Sequence, residues 1–296
     1  MQLGKVTIVG VGLLGGSMGL ALRRRRLARE IAGYVRRAAS IVDCEETAAT
    51  DYATTDLLAA VSGAELVVLC TPLAQMPLLV RRMLPALKRG ATVTDVGSVK
   101  ARVVQDVEAL VQRAGAHFVG SHPMAGSEKQ GVRAARPDLF AGALCVVTPT
   151  RTTHPAAQRK VEALWKNMGA RLLRTTPEAH DVLVSRSSHL PHLLAATLTN
   201  LVLDPRRPKE QAKLCATGFR DTTRIASGSP EMWRDIVLAN QKSLRATLDE
   251  FVRELQTVQG WLRNKRRHAD KILTLFQTAK ARRDGWCAGG GAASTE

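Results

Sequence analysis

An α/β domain followed by an all-helical domain is the architecture this sequence predicts, on three observations. The chain opens with the β-branched run Lys5-Val6-Thr7-Ile8-Val9, then Gly10-Val11-Gly12-Leu13-Leu14-Gly15-Gly16-Ser17, then Met18-Gly19-Leu20-Ala21-Leu22. This reads as a buried strand, a tight glycine turn and the first turns of a helix. Short strand-like runs then alternate with amphipathic stretches as far as Arg174. From Pro177 onward strand signals vanish and apolar residues recur at helical spacing. Alternating β and α followed by helices alone implies two domains, and 296 residues suit that number. The expected division is 1–176 and 177–287, with a small polar tail, 288–296, read as disordered.

Strand, GxGxxG turn and helix together form the dinucleotide fingerprint of a Rossmann-type domain. Gly10 permits the turn, Gly12 lets a pyrophosphate approach the backbone, and Gly15 lets helix and strand pack closely. The helix N-terminus at Leu13 and Leu14 offers free N–H groups and a partial positive charge to the phosphates. The alternative is a merely structural glycine turn.

Glu30-Ile31-Ala32-Gly33-Tyr34-Val35 is the second strand. An acid about 20 residues past the glycines would bind the ribose 2′-hydroxyl of NAD. Here Val35 stands at that place, followed by Arg36, Arg37 and Ser40. Guanidinium groups suit a 2′-phosphate, so the sequence predicts NADP over NAD. The alternative is that these arginines are only surface charge.

Further strands are expected at Glu65–Cys70, Ala91–Val96, His117–Gly120, Ala143–Thr148 and Arg171–Arg174. Thr71-Pro72 ends the first of these, at the sheet edge where ligands bind in such folds, and is read as lining the cofactor. Helices are expected over Leu78–Leu87, Ala101–Ala114 and His154–Met168. In the second half they are expected over Glu178–Leu203, broken at Pro191, and over Lys209–Gly218 and Pro230–Arg263.

Composition narrows the classes. Hydrophobic residues make up 45% and aromatic ones 4%, so the cores are aliphatic. The five cysteines show no CxxC and no metal-ligand spacing, which suits a reduced, cytoplasmic compartment. The apolar stretch Val6–Leu22 is interrupted by glycines and followed, not preceded, by its arginine cluster, unlike a signal peptide or a membrane span. The net charge of +17 is spread along the chain without an aromatic-interleaved or recognition-helix pattern. It reads as a basic surface that attracts anionic small molecules, with no nucleic-acid or membrane partner expected.

Several motifs then agree. Gly97-Ser98-Val99-Lys100, Ser121-His122-Pro123-Met124-Ala125-Gly126-Ser127-Glu128, Ser188-His189-Leu190-Pro191-His192 and Gly218-Phe219-Arg220-Asp221-Thr222-Thr223-Arg224-Ile225-Ala226 occur in that order behind the glycine turn. From about Val6 to Leu262 the chain resembles the prephenate/arogenate dehydrogenase family of tyrosine biosynthesis. The resemblance implies oxidative decarboxylation of a cyclohexadienyl acid, with hydride leaving C4 for the nicotinamide and the ring carboxylate leaving as CO2. It also implies a homodimer formed through the helical domain.

Roles follow from the same resemblance. His122 takes the proton of the reacting hydroxyl, a task suited to neutral imidazole. Ser98 hydrogen-bonds that hydroxyl, or alternatively caps the following helix. Arg224 binds the ring carboxylate, and Arg220, one turn away, assists or forms a salt bridge. His192 faces the substrate side chain, and His180 is a weaker site candidate. Trp233 reaches a partner's active site or anchors a helix interface. His189 is expected to be packed in the fold, and no metal is expected at the His189/His192 pair. The chain leaves no room for an ACT-type module, so any feedback by tyrosine is expected at the active site. Rival readings are an NADP-dependent β-hydroxyacid dehydrogenase or imine reductase, and a dinucleotide-sensing or nucleic-acid-binding regulator. The first usually relies on a second-domain lysine, which nothing here singles out; the second needs no proton acceptor.

Overall fold

The structure, a computed structural model, describes residues 2–126, 129–263 and 265–289. Ser127 and Glu128 of the histidine motif, and residues 290–296 of the expected tail, lie outside these. The strands are β1 (Leu3–Val9), β2 (Ala28–Tyr34), β3 (Tyr52–Thr54), β4 (Leu66–Leu69), β5 (Thr92–Asp95), β6 (His117–Pro123), β7 (Leu144–Thr148) and β8 (Arg171–Arg174). They form one sheet in the order β3-β2-β1-β4-β5-β6-β7-β8. Every pairing is parallel except β6 with β7. Two apolar cores sandwich the sheet, as the near-continuous aliphatic runs of β1 and β4 require. Trp165 fills one of them, edge-on to Phe140 at 5.2 Å.

Among the described residues six α-helices connect the strands: α1 (Leu13–Arg24), α2 (Ala39–Glu46), α3 (Leu57–Val61), α4 (Met76–Met83), α5 (Ala101–Arg113) and α6 (Pro155–Asn167). Helix α1 begins at Leu13, not at Met18, so Gly15 and Gly16 lie inside it. Packing explains the glycines there. A Cβ on Gly15 would sit 2.2 Å from the Gly10 carbonyl oxygen, and one on Gly19 only 1.9 Å from that of Ala49. Elements α2, β3 and α3 were not expected from the sequence; each is eight residues or fewer.

The second correction concerns His122. It lies on β6, not on a loop, because β7 runs antiparallel alongside and extends the ladder from Gly120 to Pro123. His122 is opposite Val146 there.

After β8 the chain is helical. Helix α7 (Pro177–Val184) is capped by Thr176, whose hydroxyl accepts from the Ala179 N–H at 3.2 Å. A π-helical turn, Ser185–His189, leads into α8 (Leu190–Val202). The irregularity therefore falls just before Pro191, which cannot donate to the helical ladder. Next come α9 (Lys209–Lys213), α10 (Thr217–Thr223), a 3-10 turn at Arg224–Ser227 and α11 (Pro230–Ala239). These pack into one compact unit with the sheet, ending at Gln241. A second unit, from Lys242, is built of α12 (Gln241–Arg263) and α13 (Lys265–Ala288). The single helix expected over Pro230–Arg263 is thus two, broken at Asn240, whose side chain is used elsewhere (below). Among the described residues no helix is long and apolar enough to cross a membrane.

Candidate active site

The site centres on a chain of three side chains. His122 is 7% exposed, and its Nδ1 lies 2.9 Å from His180 Nε2. His180 Nδ1 lies 2.8 Å from Asp181 Oδ1. The first two turns of α7 present both residues to the sheet. The Asp181 carboxylate also accepts the Lys100 N–H at 2.8 Å and the Ala101 N–H at 2.9 Å. It therefore satisfies two N–H groups at the N-terminus of α5 from a distant part of the chain. Asn240 Nδ2 donates to the Asp181 carbonyl at 2.8 Å and lies 3.1 Å from His189 Nδ1. Burial pushes the His122 pKa well below the usual histidine value, and His180, Lys100 and His189 add to the effect. Burial likewise brings His189 down to about 4, helped by His180 and His192 and opposed by Asp181 and the Ser98 carbonyl.

Beneath this chain lies an ion pair. Lys100 and Asp95 are both fully buried and bonded to each other. Lys100 Nζ also donates to the Ser121 carbonyl at 2.9 Å. Asp95 accepts from the Gly97 N–H at 2.9 Å and the Ser121 N–H at 3.2 Å. The Ser121 hydroxyl donates to the Asp95 carbonyl at 2.6 Å and accepts from Trp165 Nε1 at 3.0 Å. Every polar group of the residue preceding His122 is thereby satisfied. The same pair ties the 97–100 loop to β5 and β6. Ser98 is the half-buried member of that loop. It does not cap α5: the cap position is Lys100, and the carboxylate serving it is Asp181.

On the helical side, His192 stacks on Trp233 at 3.6 Å between ring centroids. Its Nδ1 is 2.9 Å from the Ser188 carbonyl, which holds the proton on that nitrogen. Burial lowers its pKa, with the Arg224 guanidinium adding and Ser188 opposing. Trp233 stands edge-on to His189 as well, at 6.2 Å. Arg224 in the 3-10 turn and Arg220 in α10 are exposed, and neither has an ion-pair partner among the described residues. His180 differs from the expected substrate ligand. It is 1% exposed and both its ring nitrogens are engaged, which leaves no polar edge for a ligand. His189 and His192 share Trp233 as a ring neighbour, and no three potential ligands cluster for a metal among the described residues.

The glycine turn fits a dinucleotide on observations of its own. Gly10 has φ +99°, a conformation that favours glycine. A Cβ on Gly12 would meet open space. The N-terminus of α1 carries no side-chain cap, so the Leu13 and Leu14 N–H groups are available to an anion. Beside Gly10, the Thr71 hydroxyl is buried without a hydrogen-bond partner. Pro72 follows, exposed, at the start of a 3-10 turn. Arg36 and Arg37 are exposed one residue beyond β2, after Val35, and Ser40 lies in the first turn of α2.

Sequence reasoning missed Asp181, Asn240 and Asp95, and gave Lys100 no role. The one local signal was a His-Asp pair early in a capped helix. The partners that make it matter are about 60 to 80 residues distant.

Comparison with known proteins agrees with this fold. Residues 18–174 match the family model for the prephenate dehydrogenase nucleotide-binding domain, and residues 176–278 that for the prephenate dehydrogenase dimerization domain. A prephenate dehydrogenase of Bacillus subtilis is 34% identical over 95% of this chain and 75% of its own length. A cyclohexadienyl dehydrogenase of Zymomonas mobilis is 30% identical over 94% of each chain. Among solved structures, Aquifex aeolicus prephenate dehydrogenase in complex with hydroxyphenyl propionate and NAD+ superposes with TM-score 0.90 at 31% identity, covering 96% of this chain and 99% of that one. Two consecutive domain matches and relatives of this similarity place the chain in the prephenate/arogenate dehydrogenase family.

Proposed function

We propose that the chain oxidatively decarboxylates prephenate, arogenate or both, with NADP as the preferred hydride acceptor. The observation that carries this reading is His122: buried, held neutral, and already engaged at Nδ1. The domain division at 176/177 is kept, the first part holding the dinucleotide. Gly10, Gly12, Leu13, Leu14 and Gly15 would receive the pyrophosphate, with Thr71 and Pro72 beside it. When bound, the nicotinamide supplies the acceptor for the hydride leaving C4.

His122 Nε2 takes the proton of the C4 hydroxyl as that carbon becomes carbonyl-like. Ser98 holds the hydroxyl oxygen. The bond from the ring to its carboxylate then breaks, CO2 departs, and its electron pair makes the ring aromatic. The phenolate oxygen recovers the proton from His122, so no net proton is consumed. Arg224 orients the ring carboxylate, assisted by Arg220. It must not grip too tightly, since the group it binds leaves uncharged. His192, backed by Trp233, meets the substrate side chain. The test is direct: purified protein, NADP or NAD, and each acid in turn, followed by absorbance of the reduced cofactor. Absence of reduction with both acids overturns the proposal.

Arg36 and Arg37 support NADP. They are exposed and without ion-pair partners among the described residues, and no carboxylate ends β2. Charge-assisted bonds to a phosphate contribute about 1.5–3 kcal/mol, so kcat/KM with NADP is expected to exceed that with NAD by roughly tenfold or more. The double variant Arg36→Glu/Arg37→Glu should erase this preference while leaving turnover with NAD near its original level. A wild-type preference for NAD ends the claim.

A homodimer through the helical domain fits the second unit, where Leu255, Leu262, Leu273 and Phe276 are exposed in the single chain. Light scattering at micromolar concentration should give twice the chain mass of 32.0 kDa. A monomer at that concentration refutes the assignment.

A further inference from the structure

We propose that His180 and Asp181 are positioning residues that select the tautomer of His122, and that Asp181 joins this proton acceptor to the loop carrying Ser98. The proposal rests on the reading of His122 given above.

The polarity follows from hydrogen-bond chemistry. Three N–H donors converge on the two Asp181 oxygens: His180 Nδ1, the Lys100 amide and the Ala101 amide. The carboxylate is therefore the acceptor, and His180 carries its proton on Nδ1. The lone pair of neutral His180 is then on Nε2, 2.9 Å from His122 Nδ1. His122 must donate there, which leaves its own lone pair on Nε2. A carboxylate two side chains away thus fixes which nitrogen can accept a substrate proton. Once Nε2 is protonated, the positive charge is shared through His180 towards Asp181.

The remaining charged and titratable groups around His122 come from several elements. Asp95 ends β5, Lys100 precedes α5, His189 closes the π-helical turn and Cys145 is on β7. Lys100 opposes protonation of His122, and Asp95 is committed to Lys100. Of the carboxylates in this set, only Asp181 bonds the histidine chain directly. It also grips the backbone at 100 and 101, so it holds the Ser98 loop and the histidine chain in one register.

Asp181→Asn tests this with little change of shape. Its amide can donate to His180 Nδ1, reversing the chain and placing the His122 proton on Nε2. We expect kcat to fall about tenfold with KM changed less than about threefold. The acidic limb of kcat/KM should move to lower pH, because the charge that favours the protonated pair is gone. His180→Gln, whose carbonyl can still accept from His122 Nδ1, should retain more activity than His180→Leu at comparable Tm. Wild-type kcat and an unmoved acidic limb in Asp181→Asn, with only Tm lowered, would reduce Asp181 to a helix cap and overturn the proposal. If that variant does not fold, the His180 pair decides: equal activity of the Gln and Leu variants overturns it. His122→Asn separates the two levels. Wild-type turnover in His122→Asn sinks the underlying reading; loss there, with wild-type behaviour at 180 and 181, sinks this proposal alone.

Discussion

Asparagine in place of His122 is expected to lower kcat about a thousandfold, within the range of about 10²–10⁴ that a positioned general base contributes, while KM changes less than about threefold. The reasoning starts from the lone pair. As hydride leaves C4, the hydroxyl on that carbon becomes acidic and needs a neutral acceptor within reach. The His122 pKa lies well below the usual histidine value, first through burial and then through His180, Lys100 and His189. The sign is favourable: the neutral form, the one that accepts, predominates at neutral pH and persists below the ordinary titration range of histidine. Asparagine can hydrogen-bond the hydroxyl but cannot take its proton. Binding survives because the contacts proposed to hold the acid are elsewhere, on Arg224 and His192. Steady-state rates from the absorbance of reduced cofactor provide the check. A variant within a few-fold of wild type in kcat would remove His122 from the mechanism.

Removing the Arg224 guanidinium is expected to raise KM at least about tenfold and lower kcat/KM roughly ten- to a hundredfold, since a charge-assisted bond contributes about 1.5–3 kcal/mol. Arg224 is exposed and has no ion-pair partner among the described residues, so its fork of donors is free for a carboxylate. Exposure also limits the collateral damage: Arg224→Ala leaves no buried group unpaired, and Tm should move little. Arg224→Lys should recover only part of the loss, because a point charge cannot reproduce two parallel bonds to one carboxylate. The His192 pKa should rise when Arg224 is removed, because that guanidinium adds to the lowering by burial. An unchanged KM in Arg224→Ala refutes the assignment.

The legible parts of the fold were those written locally. The β-branched run before Gly10, the glycine spacing and the disappearance of strand signals after Pro177 are patterns within short windows. They identify β1, α1 and the change to helices. The extension of β6 to His122 was not legible, because it depends on pairing with β7 more than twenty residues later. Helix α13 was also missed; its 24 residues are rich in lysine and arginine and lack a sharp apolar stripe. In the site, His122, Ser98, His192 and Arg224 belong to recognisable short motifs. Asp181 and Asn240 do not. Their significance comes from hydrogen bonds to residues 59 to 81 positions away, which no local window contains. His180 stands out in the sequence as a histidine near the site, but the engagement of both its nitrogens is visible only in the structure.

The buried pair beneath Ser121 has a consequence for how such an enzyme can diversify. Asp95, Lys100 and Trp165 pin the segment bearing His122 into the middle of a rigid sheet, where a change in one member strands a charge or a donor. The guanidinium and the stacked indole proposed to meet the incoming acid belong to the helical segment instead, outside that network. Exchange of the exposed Arg224 strands no buried charge, so the choice of side chain at the rim can vary separately from the network beneath it.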